Sequence, residues 1–419
     1  MTAGLPVSLV FSHAYCAFPA GIVDQVGGSM KKVSRSDLKL GEPLPFSIHD
    51  EDGRLLLRKG IVLTIPGHID KLVTRGVLMS DEKSSCDTLS SPAAATPFSS
   101  SRNAPPPVTQ PVYDLMDGVA LNLKHIFTTV LKTPEQIDLP ARIRNLATTV
   151  QTLCQEDLDS ALAAPYLDFH NPYIIVHQLM GAILTEIIGA RKGLSPEERL
   201  PYLCAALTRD IGQLAIQSEL DKCDGPLPPE LKEAMFGHPL RGVEILSRAG
   251  VSDHAWLHSV RHHHERYNGS GYPSKLAGEN IAWGGKVLAL TDTYSAMTKP
   301  RPYRNNKAHF PQNALRDMYM GKDSAFDGEL VQVLVKEIGM MPPGSIVKLK
   351  NGEIAVIKNR TIKTSEAIAY SVYDQKGMPL FSPLRRETQS PEYEITGMVA
   401  FTECRSAAVT IKRLWARQS

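Results

Sequence analysis

Between Tyr113 and about Gly339, apolar residues recur three and four positions apart in one segment after another. "YDLMDGVALNLKHIFTTVLKT" does so, and "LPARIRNLATTVQTLCQ", "YIIVHQLMGAILTEIIGARKG", "PYLCAALTRDIGQLAI" and "DGELVQVLVKEIG" repeat it. That spacing lines one face of an α-helix. Successive helices of this kind, joined by short breaks, bury their apolar faces against one another, so the stretch reads as a single all-α bundle. Gly193, Gly250 and Gly339 stand where helix C-caps belong, and "LSPEE" and "LPPE" read as helix starts.

The flanks follow other rules. Residues 30–80 alternate short apolar runs with turn signals, as in "LPFSIHDEDGRLLLRKGIVLT", where "DEDG" reads as a hairpin turn. "PGHIDKLVTRGVLM" adds one short helical pattern, giving a small β-rich domain. Residues 81–112 are Ser, Pro and Ala with almost no periodicity and read as a flexible linker. Residues 340–419 return to a period of two. "GSIVKLKNGEIAVIKNRT" is a hairpin, "AIAYSVYDQKGMPL" continues it, and "AAVTIKRLWARQS" ends basic and amphipathic. The fold class expected is mainly α: a helical bundle at 113–339 with a small β unit on either side. Residues 1–29 read as an extension, or as an over-called start before Met30, which opens "MKKVSRSDLKLGEPL".

Composition excludes several classes. Hydrophobic residues make up 42% of 419, which argues against general disorder. A formal net charge of +2 makes no case for a nucleic-acid polymer or an anionic membrane as partner. The six cysteines show no CxxC spacing and no compact framework, as expected of reduced thiols in a cytoplasmic protein. The first residues lack the basic segment of a signal peptide. No apolar run is read as reaching the roughly 18 to 20 residues needed to span a bilayer.

Within the helical region, titratable residues recur about one helix pair apart: His177, Asp210, His238, His263 with His264, and Asp292. Antiparallel helices can bring such residues together in a bundle interior. Imidazole with carboxylate is a ligand set for iron, manganese or zinc. Asp210 and Asp292 lie in apolar surroundings, where a carboxylate needs a partner and a metal is one. The alternatives are plain: hydrogen-bonded core histidines, surface histidines such as His258 and His262, and a cap or an Arg209 ion pair for Asp210.

"HHHERYNGSGYP" and "LALTDTYSAMTKPRPYR", in that order after the earlier His and Asp positions, resemble the signature of HD-GYP domains. These are a bacterial branch of the metal-dependent HD phosphohydrolases that cleave cyclic di-GMP. The resemblance covers about 165–345, and it implies an HD-type bundle with ligands for two metals. One metal would take Asp210, His238, His263 and His264. A second would share Asp210 and add His177, Asp292 and the histidine of a His-Asp pair. The resemblance further implies phosphate contacts from Arg301 and Arg304, a ligand contact from Tyr272, and a Gly271-Tyr272-Pro273 loop that meets GGDEF-type cyclase domains. A homodimer is compatible with it.

The chain departs from that signature. Arg209 stands where the His-Asp pair has histidine, Gln213 where a phosphate-holding lysine is usual, Asn268 for aspartate, and Tyr173 for the glutamate of three-metal members. A guanidinium has no lone pair to offer a metal and stays protonated. It is expected to empty the second site, and by forking onto Asp210 or Asp292 to take that cation's structural role. The expected function is a degenerate HD-GYP signalling protein that holds one ion of iron or manganese at most. It would bind cyclic di-GMP or partner proteins with reduced or absent phosphodiesterase activity. An active one-metal phosphodiesterase with Asp210 as its catalytic ligand, and a structural scaffold, are the alternatives.

Overall fold

The structure is a computed structural model of the full chain. It describes residues 30–39, 44–49, 55–57, 72–73, 78–80, 110–133, 137–223, 225–299, 309–320, 325–361, 363 and 366–415. The extension 1–29, the "DEDG" turn, most of the 81–112 linker, Arg301 and Arg304 lie outside the described residues. The chain divides into two compact units, 1–103 and 104–419.

In the first unit, β1 (Met30–Lys32), β2 (Ser47–His49), β3 (Leu55–Leu57) and β4 (Leu78–Ser80) form an antiparallel sheet of order β1-β4-β2-β3. Val33, Leu38, Leu44 and Ile48 make its small core. Of the helical pattern before Gly76, Leu72 and Val73 are described, and both are helical.

The second unit begins with helices. They are α1 (Val112–Lys132), α2 (Leu139–Glu156), α3 (Leu158–Leu167), α4 (Tyr173–Arg191), α5 (Pro196–Thr208), α6 (Gln217–Leu220), α7 (Pro229–Phe236), α8 (His238–Arg248), α9 (His254–His262), α10 (Trp283–Thr298), α11 (Pro311–Met320) and α12 (Gly328–Ile338). A 3₁₀ turn, Ile211–Ile216, follows α5. Local chemistry sets several boundaries. Ser195 and Glu198 cap each other at the start of α5, with Ser195 N–H donating to Glu198 Oε2 at 2.7 Å. Gly193, Gly250 and Gly339 follow helices with φ of 82°, 89° and 73°, the left-handed region that glycine enters without a Cβ clash.

α4 is the central helix. It is apolar nearly all round and buried from Ile174 to Gly189, as a helix packed on every side must be. It corrects the reading that no apolar run is long enough to cross a membrane. By length and composition this one helix passes among the described residues, and 89% of its apolar window is buried inside the domain. It also carries His177 and Glu186, and Glu186 is paired internally with Arg199.

After Gly339 come β5 (Ile346–Leu349), β6 (Ile354–Arg360), β7 (Ala367–Tyr373), β8 (Pro379–Glu387) and β9 (Ile395–Met398), then α13 (Ala408–Arg413). They form an antiparallel sheet of order β8-β7-β6-β5-β9. One face packs on the bundle, where Val356, Val372, Cys404 and Trp415 join the helical core. Asp159 on α3 accepts hydrogen bonds from Asn359 and Arg360, and Trp415 stacks on Tyr113 at 5.4 Å. The mainly α class with a β unit at each end is the observed architecture.

Candidate metal centre

Asp210 sits in the turn between α5 and the 3₁₀ segment. The turn can approach the start of α8 because residue 212 is glycine: a Cβ there would lie 2.2 Å from the His238 carbonyl oxygen. His238 opens α8, His263 and His264 follow α9, and His177 and Asp292 project from α4 and α10. All except His264 are buried, and the His264 side chain is 16% exposed. One ligand atom from each of Asp210, His238, His263 and His264 lies within 4.8 Å of the others. The same holds for His177, Asp210 and Asp292.

The proton positions in the first group follow from its neighbours. His238 Nδ1 is 2.5 Å from the Met235 carbonyl oxygen, and His263 Nδ1 is 2.6 Å from that of Val260. A carbonyl only accepts, so both Nδ1 atoms carry hydrogen. In neutral imidazoles both Nε2 atoms then hold lone pairs. Yet those Nε2 atoms are 3.0 Å apart, and 3.2 and 3.6 Å from Asp210 Oδ1. Three electron-pair donors converge with no hydrogen between them unless a proton or a cation is shared. The donor set therefore fits a divalent metal. Gln178 supports it from behind, its Nε2 donating to Asp210 Oδ2 at 2.6 Å.

The second group is differently composed. His177 Nε2 donates to Asp292 Oδ1 at 2.9 Å, and its Nδ1 meets Ser295 Oγ at 2.8 Å. Arg209 is fully buried and aims Nε at the same Asp292 oxygen at 3.0 Å, with Asp210 Oδ2 at 3.8 Å. The expected carboxylate fork is not what forms. The two outer nitrogens donate to main-chain carbonyls instead, Nη1 to Ala206 at 2.8 Å and Nη2 to His177 at 2.9 Å. Gly181 makes the room, since a Cβ there would lie 2.3 Å from Nη1. Asp210 forms no side-chain cap on the following turn, so the capping alternative is set aside.

Electrostatics agree with this division. Burial works against ionisation of Asp210, but the neighbouring His238 and His263 imidazoles and the charge of Arg209 hold its carboxyl well below the usual range. Burial likewise opposes ionisation of Asp292, and His177 and Arg209 override it. Burial, then the Arg209 charge, lowers His177 to about 4 against the pull of Asp292. Burial and His263 hold His264 well below its ordinary value. Both carboxylates are ionised at neutral pH, and His177 and His264 are neutral.

The groups open onto a cavity of about 270 Å³, lined by Tyr173, His177, Gln213, His264, Arg266 and Tyr272 among others. Tyr173 stacks on His177. Gln213 is buried and donates to Gln217 at 3.0 Å. The Gly-Tyr-Pro loop, expected to meet a cyclase domain, is largely turned inward. Gly271 is buried against the Glu265 and Arg266 backbone, and Tyr272 is half-buried, stacked on His264 at 4.7 Å and edge-on to Phe236. Its outer part, Ser274, Lys275 and Ala277, is exposed. His262, expected at the surface, is half-buried with Nδ1 enclosed, because α10 packs Gly285 against its Cβ.

Sequence reading missed four residues here. Gln178 and Ser295 orient ligands, and both lie one helical turn or less from a named His or Asp, a spacing that could have found Ser295. Glu265 is fully buried and accepts from Ser274 N at 2.7 Å and Leu276 N at 3.0 Å, which pins the loop. Arg266 lines the cavity with its guanidinium 5.1 Å from the Phe326 ring centre, and burial lowers its pKa.

Residues 161–330 match the family described as HD domain. Among curated relatives, a cyclic di-GMP phosphodiesterase of Pseudomonas aeruginosa is 33% identical over 36% of this chain and 36% of its own length. A 3'3'-cGAMP-specific phosphodiesterase of Vibrio cholerae is 28% identical over 49% of this chain and 45% of its own. The chain thus spans less than half the length of each of these two curated relatives. A solved HDG"Y"P protein from Bdellovibrio bacteriovorus aligns at 13% identity with a TM-score of 0.44, over 73% of this chain and 98% of that one.

Proposed function

The HD domain of this chain belongs to the HD-GYP family, and on that premise we propose that the chain acts in bacterial cyclic di-GMP signalling as a degenerate member. It binds the cyclic dinucleotide or partner proteins, and its phosphodiesterase activity is reduced or absent. The observation that carries this reading is the position of Arg209 Nε, 3.0 Å from Asp292 and 3.8 Å from Asp210. A second divalent ion would need those same oxygens. At about 4 Å from a fixed positive charge it would be repelled by on the order of 8 kcal/mol at an effective dielectric near 20.

Asp210, His238, His263 and His264 would hold a single ion of iron or manganese. Such an ion lowers the pKa of water and polarises a phosphoryl oxygen. The residues around it perform the rest. Gln178 orients Asp210, the main-chain carbonyls of Met235 and Val260 fix the imidazole tautomers, and Tyr272 covers His264. Arg266 offers a guanidinium to a phosphate, and Arg301 and Arg304 remain candidates for the same task. Without a second ion, and with Gln213 where a phosphate-holding lysine is usual, two contributions to transition-state stabilisation are lost. Contact with a cyclase domain would fall on the exposed part of the loop, beyond Pro273. A cytoplasmic location belongs to the same proposal and fits four free cysteines among the described residues.

The four-ligand group favours a second reading, slow one-metal hydrolysis. Anaerobic assay of cyclic di-GMP with the iron- or manganese-loaded protein decides between them, with Asp210→Ala as control. Turnover that vanishes in the control makes this an enzyme. No turnover with saturable nucleotide binding supports the receptor reading, and neither turnover nor binding leaves a scaffold.

A further inference from the structure

A second cavity, of about 1060 Å³, lies between the bundle and the C-terminal sheet and shares no lining residue with the first. Lys299 lies in its wall, immediately after α10, and is 5% exposed. Its ammonium donates to the carbonyl oxygens of Tyr166 at 3.0 Å and Asp168 at 3.4 Å, and sits 4.8 Å from the Phe169 ring centre. It forms no ion pair among the described residues. A buried cation held only by neutral dipoles is costly, and burial lowers its pKa to about 7 with Asp168 opposing.

Two further features point to a ligand. Ser345 lines the same cavity, is 4% exposed, and has a buried Oγ without a hydrogen-bond partner. Its N–H and C=O are both used, by Pro342 and Ile357, so the hydroxyl alone is left over. A buried orphan of this kind is rare and asks for an explanation. The apolar walls are aromatic: Phe169 stacks on Phe401 at 3.9 Å, and Phe310 is 38% exposed beside them. At the rim, Arg316 and His309 share one carboxylate, Asp317, while Arg405 has no ion pair among the described residues. Concave, apolar, with a few placed polar groups and a cationic bias, this is the make-up of a small-molecule site.

We propose that this cavity binds an organic carboxylate with an aromatic or acyl body, its acid group paired with Lys299 and its body against Phe169 and Phe401. The site abuts the helix that carries Asp292 but is independent of the metal centre.

Calorimetric titration of the full-length protein with 1-naphthoate and decanoate tests this, using neutral 1-naphthamide for comparison. One saturable site for either acid is expected, at least tenfold weaker in Lys299→Met and in Phe169→Ala. Naphthamide should bind the native protein no better than Lys299→Met binds naphthoate. Binding should persist in Asp210→Ala and under chelation, which separates this site from the nucleotide reading. Absence of saturable binding by both acids overturns the proposal, as does an unchanged affinity in Lys299→Met. If Lys299→Met fails to fold, Arg405→Glu at the exposed rim decides: a fivefold or greater weakening is expected, and no change counts against the site.

Discussion

Arg209 Nε lies 3.0 Å from Asp292 Oδ1, the oxygen that also accepts from His177 Nε2 at 2.9 Å. Two donors of this chain thus meet on one carboxylate oxygen. Arg209 in turn has both outer nitrogens on main-chain carbonyls. The guanidinium is thus built into the core, and replacing it alone should unpair a buried charge. Arg209→Met should cost about 3 to 5 kcal/mol of stability, read by urea unfolding.

Restoring ligands should restore the second ion. Elemental analysis after anaerobic loading should give one metal per native chain and two for Arg209→His combined with Gln213→Lys. A double variant that stays at one or none would show that Arg209 is not what closes the second position.

Gln178 Nε2 donates to Asp210 Oδ2 at 2.6 Å. Gln178→Leu should keep the fold and weaken metal binding about 10- to 100-fold, the range for lost support of a ligand. Competition with a chromogenic chelator measures this, and an unchanged affinity would remove Gln178 from the site.

The metal-free protein should lose stability in mild acid. Burial, then Arg209, holds His177 at about 4, while an unfolded imidazole takes up its proton near 6.5. Between those values the unfolded chain binds one proton more than the folded chain. Stability is therefore full above about pH 6.5 and falls as pH drops towards 4, by about 3 kcal/mol at most from this residue. Urea midpoints measured in chelator at pH 7 and pH 5 should differ less in His177→Gln than in the native protein. Equal pH dependence in the two would assign the effect elsewhere.

Glu265 is fully buried and accepts two main-chain N–H groups of the loop. Glu265→Ala should cost about 2 to 4 kcal/mol, since both donors lose a charged acceptor. The loop at 268–278 should become the first site of limited proteolysis. If cleavage begins elsewhere, Glu265 supports the bundle and not the loop.

Much of this was written in local sequence. Apolar spacing marked the bundle because a helix repeats every 3.6 residues whatever it packs against, and glycine and Ser-x-x-Glu signals marked its ends. The identities of His177, Asp210, His238, His263, His264 and Asp292 were legible as candidate ligands, and so was the inability of Arg209 to ligate. Tertiary structure alone decided what they touch. That His238 and His263 face each other through Nε2 depends on carbonyls at Met235 and Val260, and on a glycine at 212 that lets two segments meet. That Arg209 spends its outer nitrogens on the main chain depends on Gly181 of another helix. That Tyr272 turns inward goes with its N–H on the His264 carbonyl and its ring stacked on His264. The contacts of His263 with His238, Gly212 with His238 and Arg209 with Gly181 join residues tens of positions apart, and no local periodicity encodes a distance between two helices.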